Sequence, residues 1–552
     1  MGAAGLIKRR DRKGFFRGVH WHLNGAGLKT FIKKDVRVFI LNKKTQKKAM
    51  VSQRPLGIAP DDRPQLHCPF VDEISKISLK CRVSGSDFHS RVKNLESIDK
   101  THIWHPFTQM KEWAEGAPLI ITEGRDCFIK DIRGRWYLDG VSSLWVNIFG
   151  HRKKEIDEAI AGQLKKAAHT TLLGLAGEAS IELAGKLARL MEKSFTPPAK
   201  NRRLTRIFYS DNGSTAVEVS LKMAFQYWRQ KGEKRKRIFV SLENGYHGDT
   251  LGAVSVGGVD IFHAAFGPLL FETLRAPSPY CYRCGLGLRH LDCGLACAEA
   301  LEDIFRTRHD EIAAFIMEPL VQAAGGMIIH PRGYLSRVRG LCEKYGVLFI
   351  ADEVATGFGR TGRMFACEHE GVTPDIICIS KGITGGYLPL AATITNEEVY
   401  GAFLGGFEEL KTFFHGHSYT GNPLACAAAS AALGIFGKEK VLEGLPEKTE
   451  LLAAELKHLA SGAGGGVAGV GEAKNLGLMG RIELVKDRES RQPYDWGERI
   501  GWKVANNALE GGLFIRPLGN VIVIMPPLAI SPENLKRMMD VIRASIEAVT
   551  GR

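Results

Sequence analysis

Ile376-Ile377-Cys378-Ile379-Ser380 is a short apolar run that ends in Lys381 and is followed by Gly382-Ile383-Thr384-Gly385-Gly386. Twenty-nine residues before that lysine, the run Val347-Leu348-Phe349-Ile350-Ala351 ends in Asp352-Glu353. Strands buried on both faces read as continuous apolar runs of this length. The two runs therefore predict interior strands of an open α/β sheet. Their carboxyl ends, where such sheets bind ligands, would present a carboxylate beside an amine.

Working outward, strand and helix patterns alternate, which predicts a parallel sheet with crossover helices. Further strands are expected at 204–210, 238–241, 312–318 and 391–395, with helices at 217–230, 298–308 and 334–345. On the first helix, Val217, Leu221, Ala224, Phe225 and Trp228 share one face. Residues 151–434 thus read as one large α/β domain with a mixed, mostly parallel sheet flanked by helices. Residues 96–150 and 435–552 mix shorter strands and helices, such as those at 128–131 and 521–525. They are expected to pack together as a smaller α+β domain built from both ends. Ser461-Gly462-Ala463-Gly464-Gly465-Gly466 reads as a flexible loop within it.

The chain has 552 residues and a formal net charge of +15, which at first suggests a nucleic-acid partner. The charge is unevenly placed. Residues 1–95 hold 21 Lys+Arg against 7 Asp+Glu, leaving 54 against 53 in 96–552. A neutral body argues against nucleic acid as the main partner. The basic stretch 1–95 reads as a disordered extension, with a transit peptide or a nucleic-acid arm as alternatives. No stretch is long and apolar enough to predict a membrane span. The 11 cysteines, mostly scattered, do not form a secreted disulfide framework, so a cytoplasmic location is expected. One group stands apart: Cys281, Cys284, Cys293 and Cys297, spaced nearly as in a structural zinc site. Its alternative is a loop of reduced thiols, and no metal is assigned to the chain.

The Lys381 and Asp352 pair suits pyridoxal phosphate. That coenzyme needs an amine to take up its aldehyde and a carboxylate to keep its ring nitrogen protonated. Other segments supply the rest of a site. Ser210-Asp211-Asn212-Gly213-Ser214-Thr215 lies between a strand and a helix, where free N–H groups bind a phosphate. Tyr246, after a glycine turn, can stack on an aromatic ring. Glu318 ends another strand. His415-Gly416-His417-Ser418-Tyr419-Thr420-Gly421-Asn422-Pro423 carries hydroxyls that can meet a phosphate. Each also has a plain reading as a cap, a buried ring or a turn. Their combination in this order favours the coenzyme.

The segments Asp352-Glu353-Val354-Ala355-Thr356-Gly357-Phe358-Gly359-Arg360-Thr361-Gly362 and Ser380–Gly386, with 244–249 and 421–426, resemble the class III aminotransferases. These are fold-type I pyridoxal-phosphate enzymes. Within them Ile103-Trp104-His105-Pro106-Phe107-Thr108, Asn244–Thr250, Phe365-Ala366-Cys367-Glu368-His369 and Arg516-Pro517-Leu518-Gly519 resemble the 7,8-diaminononanoate synthases of the biotin pathway. The resemblance covers 96 to the C-terminus and leaves out 1–95. It implies that Lys381 binds the coenzyme covalently, Asp352 pairs with its ring nitrogen and Tyr246 stacks on the ring. Asn212, Gly213 and Ser214 would hold the phosphate, with His417 and Ser418 completing that site from the neighbouring subunit of a homodimer. Arg516 would grip the carboxylate of 8-amino-7-oxononanoate. Phe107, Leu144, Trp145, Tyr246 and Gly416 would line the pocket.

Two positions depart from the pattern. Members known to use S-adenosylmethionine tend to have tyrosine at the place of Phe107 and tryptophan at the place of Leu144. Related sequences with this phenylalanine include some thought to use lysine. The resemblance thus implies S-adenosylmethionine as the default amino donor and leaves lysine open. Another class III transaminase, acting on an ω-amino acid or a diamine, would share every coenzyme residue and differ only in the pocket.

Overall fold

The apolar runs at 347–352 and 375–380 do form neighbouring interior strands, inside a seven-stranded sheet. In chain order its strands are β1 (Leu204–Ser210), β2 (Ile238–Leu242), β3 (Thr273–Ala276), β4 (Ile312–Met317), β5 (Leu348–Asp352), β6 (Ile376–Ile379) and β7 (Ala391–Asn396). They lie in the order β3-β2-β4-β5-β6-β7-β1. Neighbours from β3 to β6 are parallel, whereas β7 runs against both β6 and β1.

This computed structural model describes residues 85–552 except 198, 291, 462–465 and 552, plus short stretches nearer the start. The chain divides into two compact units, Met1–Phe88 and His89–Arg552. In the first, Lys8–Arg10 pairs antiparallel with Phe16–Gly18, and Arg37–Leu41 with Lys48–Ser52. The expectation of a disordered extension over 1–95 falls mostly on residues outside those described. Helix Gly85–His102 occupies its last eleven positions. The glycine-rich stretch read as a flexible loop also lies largely outside the described residues.

The interior strands have no polar face, because helices cover both sides. In β5, Leu348 and Ile350 join one apolar cluster, while Phe349 and Ala351 join the other. The first cluster is built on α1 (Gly213–Gln230), whose Val217, Leu221 and Ala224 are buried as the periodicity predicts. Phe225, expected on the same face, is 37% exposed instead. The helical stripe is narrower than its hydrophobicity suggests, and Met223 and Tyr227 fill that space.

Elsewhere in the second unit, Leu513–Phe514 pairs parallel with Trp136–Asp139, so late and early segments share one sheet. Met479–Asp487 pairs antiparallel with Val521–Ile524. Three further backbone bonds tie the same regions: Met525 N–H to Gly140 O, Gly140 N–H to Phe514 O and Ala529 N–H to Ile148 O. A fourth, from Ile148 N–H to Gly385 O at 3.4 Å, puts the segment 140–149 against the turn that follows β6 at the carboxyl edge of the large sheet. Gly385 and Gly386 there lie close enough to Phe149 and Asn147 that a Cβ would meet their atoms at 3.0 and 2.9 Å.

Candidate functional site

Register brings the amine and the carboxylate together. Asp352 pairs across the ladder with Cys378, three residues before Lys381. Asp352 is buried and held on both oxygens: Oδ1 accepts the Val354 N–H at 3.1 Å, and Oδ2 lies 2.7 Å from Nδ1 of buried His247. A protonated Nδ1 suits that contact, since the carboxylate can only accept. His247 is a residue to which sequence reasoning gave no role, although it follows Tyr246 directly.

Lys381 lies deep among protein atoms while part of its side chain faces open space, with Nζ 5.4 Å from the centre of the Trp145 ring. Burial lowers its proton affinity; Asp352 and Glu318 act in the opposite sense, and Arg360 adds to the lowering. Its φ of 45° is in the left-handed region, where a lysine is strained. Glu318 accepts the Tyr246 N–H at 3.0 Å and the Ala323 N–H at 2.8 Å. Burial pushes its carboxyl up to about 7, with His247 opposing.

The start of α1 leaves first-turn N–H groups that could hold an anion. Asn212 caps it, accepting the Thr215 N–H at 3.1 Å, while Thr215 Oγ1 accepts the Asn212 N–H in return. The Asn212 side chain is therefore committed to the helix, and the free amides of the first turn remain for a ligand. Gly213 lies against the loop after Asp352, where an added Cβ would stand 2.6 Å from Val354 Cγ1. Ser214 Oγ accepts the Asp249 N–H at 3.1 Å.

Tyr246 donates to Asp249 at 2.7 Å, and burial raises its hydroxyl pKa well above the usual range. Its ring lies nearly parallel to His263 at 6.2 Å and edge-on to Phe262 at 6.3 Å. Phe262 meets Phe107 edge-on at 5.3 Å. Phe107, itself at φ 50°, offers its carbonyl to Arg516 at 3.5 Å. Phe262 and His263 were not singled out from the sequence, because their contacts are purely tertiary. Ser142, Ser143 and Trp145 all have positive φ, and Leu144 between them is exposed. One wall thus runs from Arg516 through Phe107 and the unpredicted Phe262 to Tyr246, and Trp145 stands beside Lys381.

The loop with Gly416, His417 and Ser418 lies beside the chain's own anion site: His417 Nδ1 is 3.5 Å from Asp211 Oδ2. Among the described residues, the buried Nε2 of His417 has no hydrogen-bond partner, like that of His247. Among the described residues no group of three or more His, Cys, Asp or Glu side chains stands at metal-ligating geometry.

An amine and a carboxylate on adjacent strand ends, a helix start approached through glycine, and a tyrosine ring between them fit a phosphorylated pyridine aldehyde. Residues 109–546 match the family model described as aminotransferase class-III, and the chain belongs to that family. It is an aminotransferase, and its coenzyme is pyridoxal phosphate. More particularly, it is 51% identical over 460 residues to the adenosylmethionine-8-amino-7-oxononanoate aminotransferase of Geobacter sulfurreducens, covering 83% of this chain and 98% of that one. The crystal structure of the Methanocaldococcus jannaschii enzyme of that name is similar, with a TM-score of 0.77 and 44% identity over 83% of this chain and 99% of that one. A PLP-bound amine transaminase from an uncultivated Pseudomonas species matches at TM-score 0.76 and 37% identity, over 81% and 99%.

Proposed function

We propose that this chain transfers an amino group to 8-amino-7-oxononanoate, giving 7,8-diaminononanoate for biotin synthesis, with S-adenosylmethionine as donor. The observation that carries this reading is the wall from Arg516 to Tyr246, in a chain half identical to relatives named for that reaction. Asn212, Gly213 and Ser214 would hold the phosphate of the coenzyme, joined by His417 and Ser418. Asp352, fixed by His247, would keep the ring nitrogen protonated, and Tyr246 would stack on the ring. Pyridoxal phosphate, when bound, supplies an aldehyde for the amino group and a ring that accepts electron density.

Lys381 does the proton work. Its lowered proton affinity leaves a larger share of the amine neutral than an ordinary lysine has, so it can take a proton from the donor carbon and return it. Arg516 grips the oxononanoate carboxylate, where a guanidinium fork fits two oxygens. Phe107, Leu144, Trp145 and Gly416 line the pocket, and the apolar wall keeps water from the reacting carbon.

A homodimer is part of the same reading; His417 already stands 3.5 Å from Asp211 of its own chain, so it is not assigned to the partner's site. Trp104 at 88%, Leu173 at 89% and Phe407 at 94% exposure are costly in water and suit a covered face. Residues 96–150 and 435–552 would form the small domain, joined through the Leu513–Leu138 pairing. A cytoplasmic location is proposed from the unpaired cysteines.

Lysine as donor is the second reading, favoured by Phe107 and Leu144, which offer neither a hydroxyl nor an aromatic platform to a sulfonium nucleoside. Purified enzyme given 8-amino-7-oxononanoate with either donor decides between them. Diamine from S-adenosylmethionine alone is expected. Diamine only from lysine establishes the second reading, and none from either removes both.

A further inference from the structure

The turn that follows strand Trp136–Asp139 has a strained backbone. Ser142, Ser143 and Trp145 have φ of 54°, 63° and 65°, so three residues with side chains are left-handed within four positions. Such residues persist only where their surroundings over-determine them, and they gather at functional sites. Both ends of this turn are fixed. At its start Gly140 N–H donates to Phe514 O, and Gly140 O accepts the Met525 N–H, each at 2.9 Å. At its far end Arg360 donates to Asn147 O at 2.9 Å and to Pro526 O at 2.7 Å. Between them the turn is held from within by Asp139, which is completely buried. Its Oδ1 accepts the Val141 N–H at 3.1 Å, and its Oδ2 accepts the Ser143 N–H at 2.6 Å. Ser142 Oγ adds a bond to Met525 O at 2.7 Å. The turn delivers one side chain to the reacting amine: the Trp145 ring, whose centre lies 5.4 Å from Lys381 Nζ.

We propose that Asp139 is a positioning residue for the transamination, holding the strained turn so that the Trp145 ring lies over the nitrogen of Lys381. This rests on Lys381 being the coenzyme lysine and is independent of which donor or acceptor is used. An indole face attracts a cation within about 6 Å of its centre, so a ring held there favours the protonated form of that nitrogen. The other charges facing Lys381 are Asp352, Glu318 and Arg360, and those facing Asp139 are His151 and Arg360. A carboxylate suits the clamp because each of its two oxygens accepts one amide. Asparagine has one such oxygen and turns an NH2 group toward the second N–H. One backbone amide then loses its partner, and the left-handed residues are free to relax and carry the ring away.

The test titrates the yellow absorbance of the bound coenzyme against pH in the holoenzyme, with no substrate present. Asp139→Asn is expected to lower the midpoint by about half a pH unit. Trp145→Leu should lower it about as much, and the double variant no further than Trp145→Leu alone, because the acid acts through the ring. Loss of the Asp139 charge would by itself lower the midpoint, but that effect would persist without the ring. Additive shifts in the double variant therefore overturn the proposal, as does an Asp139→Asn titration identical to wild type. Should Asp139→Asn fail to fold, Ser142→Ala, which removes only the bond to Met525, is expected to move the midpoint the same way, and no movement overturns the proposal. Failure of the underlying reading is seen separately, as a yellow band that survives Lys381→Ala.

Discussion

At the scale of single residues the site turns on an amine kept short of protons. Burial lowers the proton affinity of Lys381, and the neighbouring Asp352 and Glu318 limit that lowering. In the proposed mechanism, replacing it removes both the covalent anchor and the proton carrier. Lys381→Ala is expected to lose the yellow absorbance of the bound coenzyme and to lower turnover by at least about 10²-fold. Its far-ultraviolet circular dichroism should match wild type, because the side chain is not part of the apolar core. A variant that stayed yellow would remove Lys381 from the centre of the reaction. Lys381 and Asp352 were legible in the sequence because each ends an apolar run, and a parallel sheet collects such ends along one edge. His247 was not, since only the folded chain shows that Asp352 needs a partner for its second oxygen.

At the scale of elements, the loop after β5 is organised by a second buried carboxylate. Glu353 accepts N–H groups from Ala366 and Cys367 at 3.0 and 2.8 Å and a hydroxyl from Thr356 at 2.5 Å. Burial nonetheless pushes it up from 4.5 to about 7. The folded protein thus holds this proton more tightly than the unfolded chain. The stability it contributes is fully present below about pH 4.5 and is lost as pH rises through about 7. Glu353→Gln has no such proton, so it should gain about 3 kcal/mol relative to wild type between pH 4.5 and pH 8. Chemical denaturation at the two pH values measures this, and a gap that stays constant would refute it. Interior strands were readable to within a residue or two, because burial on both faces leaves an unbroken apolar run. Strand β3, Thr273-Leu274-Arg275-Ala276, escaped notice: it is an edge strand, half-buried and carrying a charged residue. The pairing of Leu513 with Leu138 was expected only as general packing, since short strands carry no register in their sequence.

At the scale of the whole molecule, the exposed aromatic and aliphatic residues at 104, 173 and 407 predict a particle of twice the 60.7 kDa chain mass. Sedimentation of the holoenzyme should show it, and a monomer that is active at working concentration would end the two-subunit reading. The uneven charge makes a separate point. The neutral stretch from residue 96 holds all the predicted coenzyme and substrate residues.

Among the described residues, strand β1 lies at one margin of the large sheet and bonds only to β7, the last of the seven strands in chain order. On a ribosome adding roughly 5–20 residues per second, β1 waits on the order of ten seconds or more before its neighbour emerges. Throughout that interval a hydrogen-bonding rim stands open to whatever nascent chain is near. Yield in a host cell should therefore depend on chaperones and on the pace of translation, and hardly at all on the final strength of the finished fold.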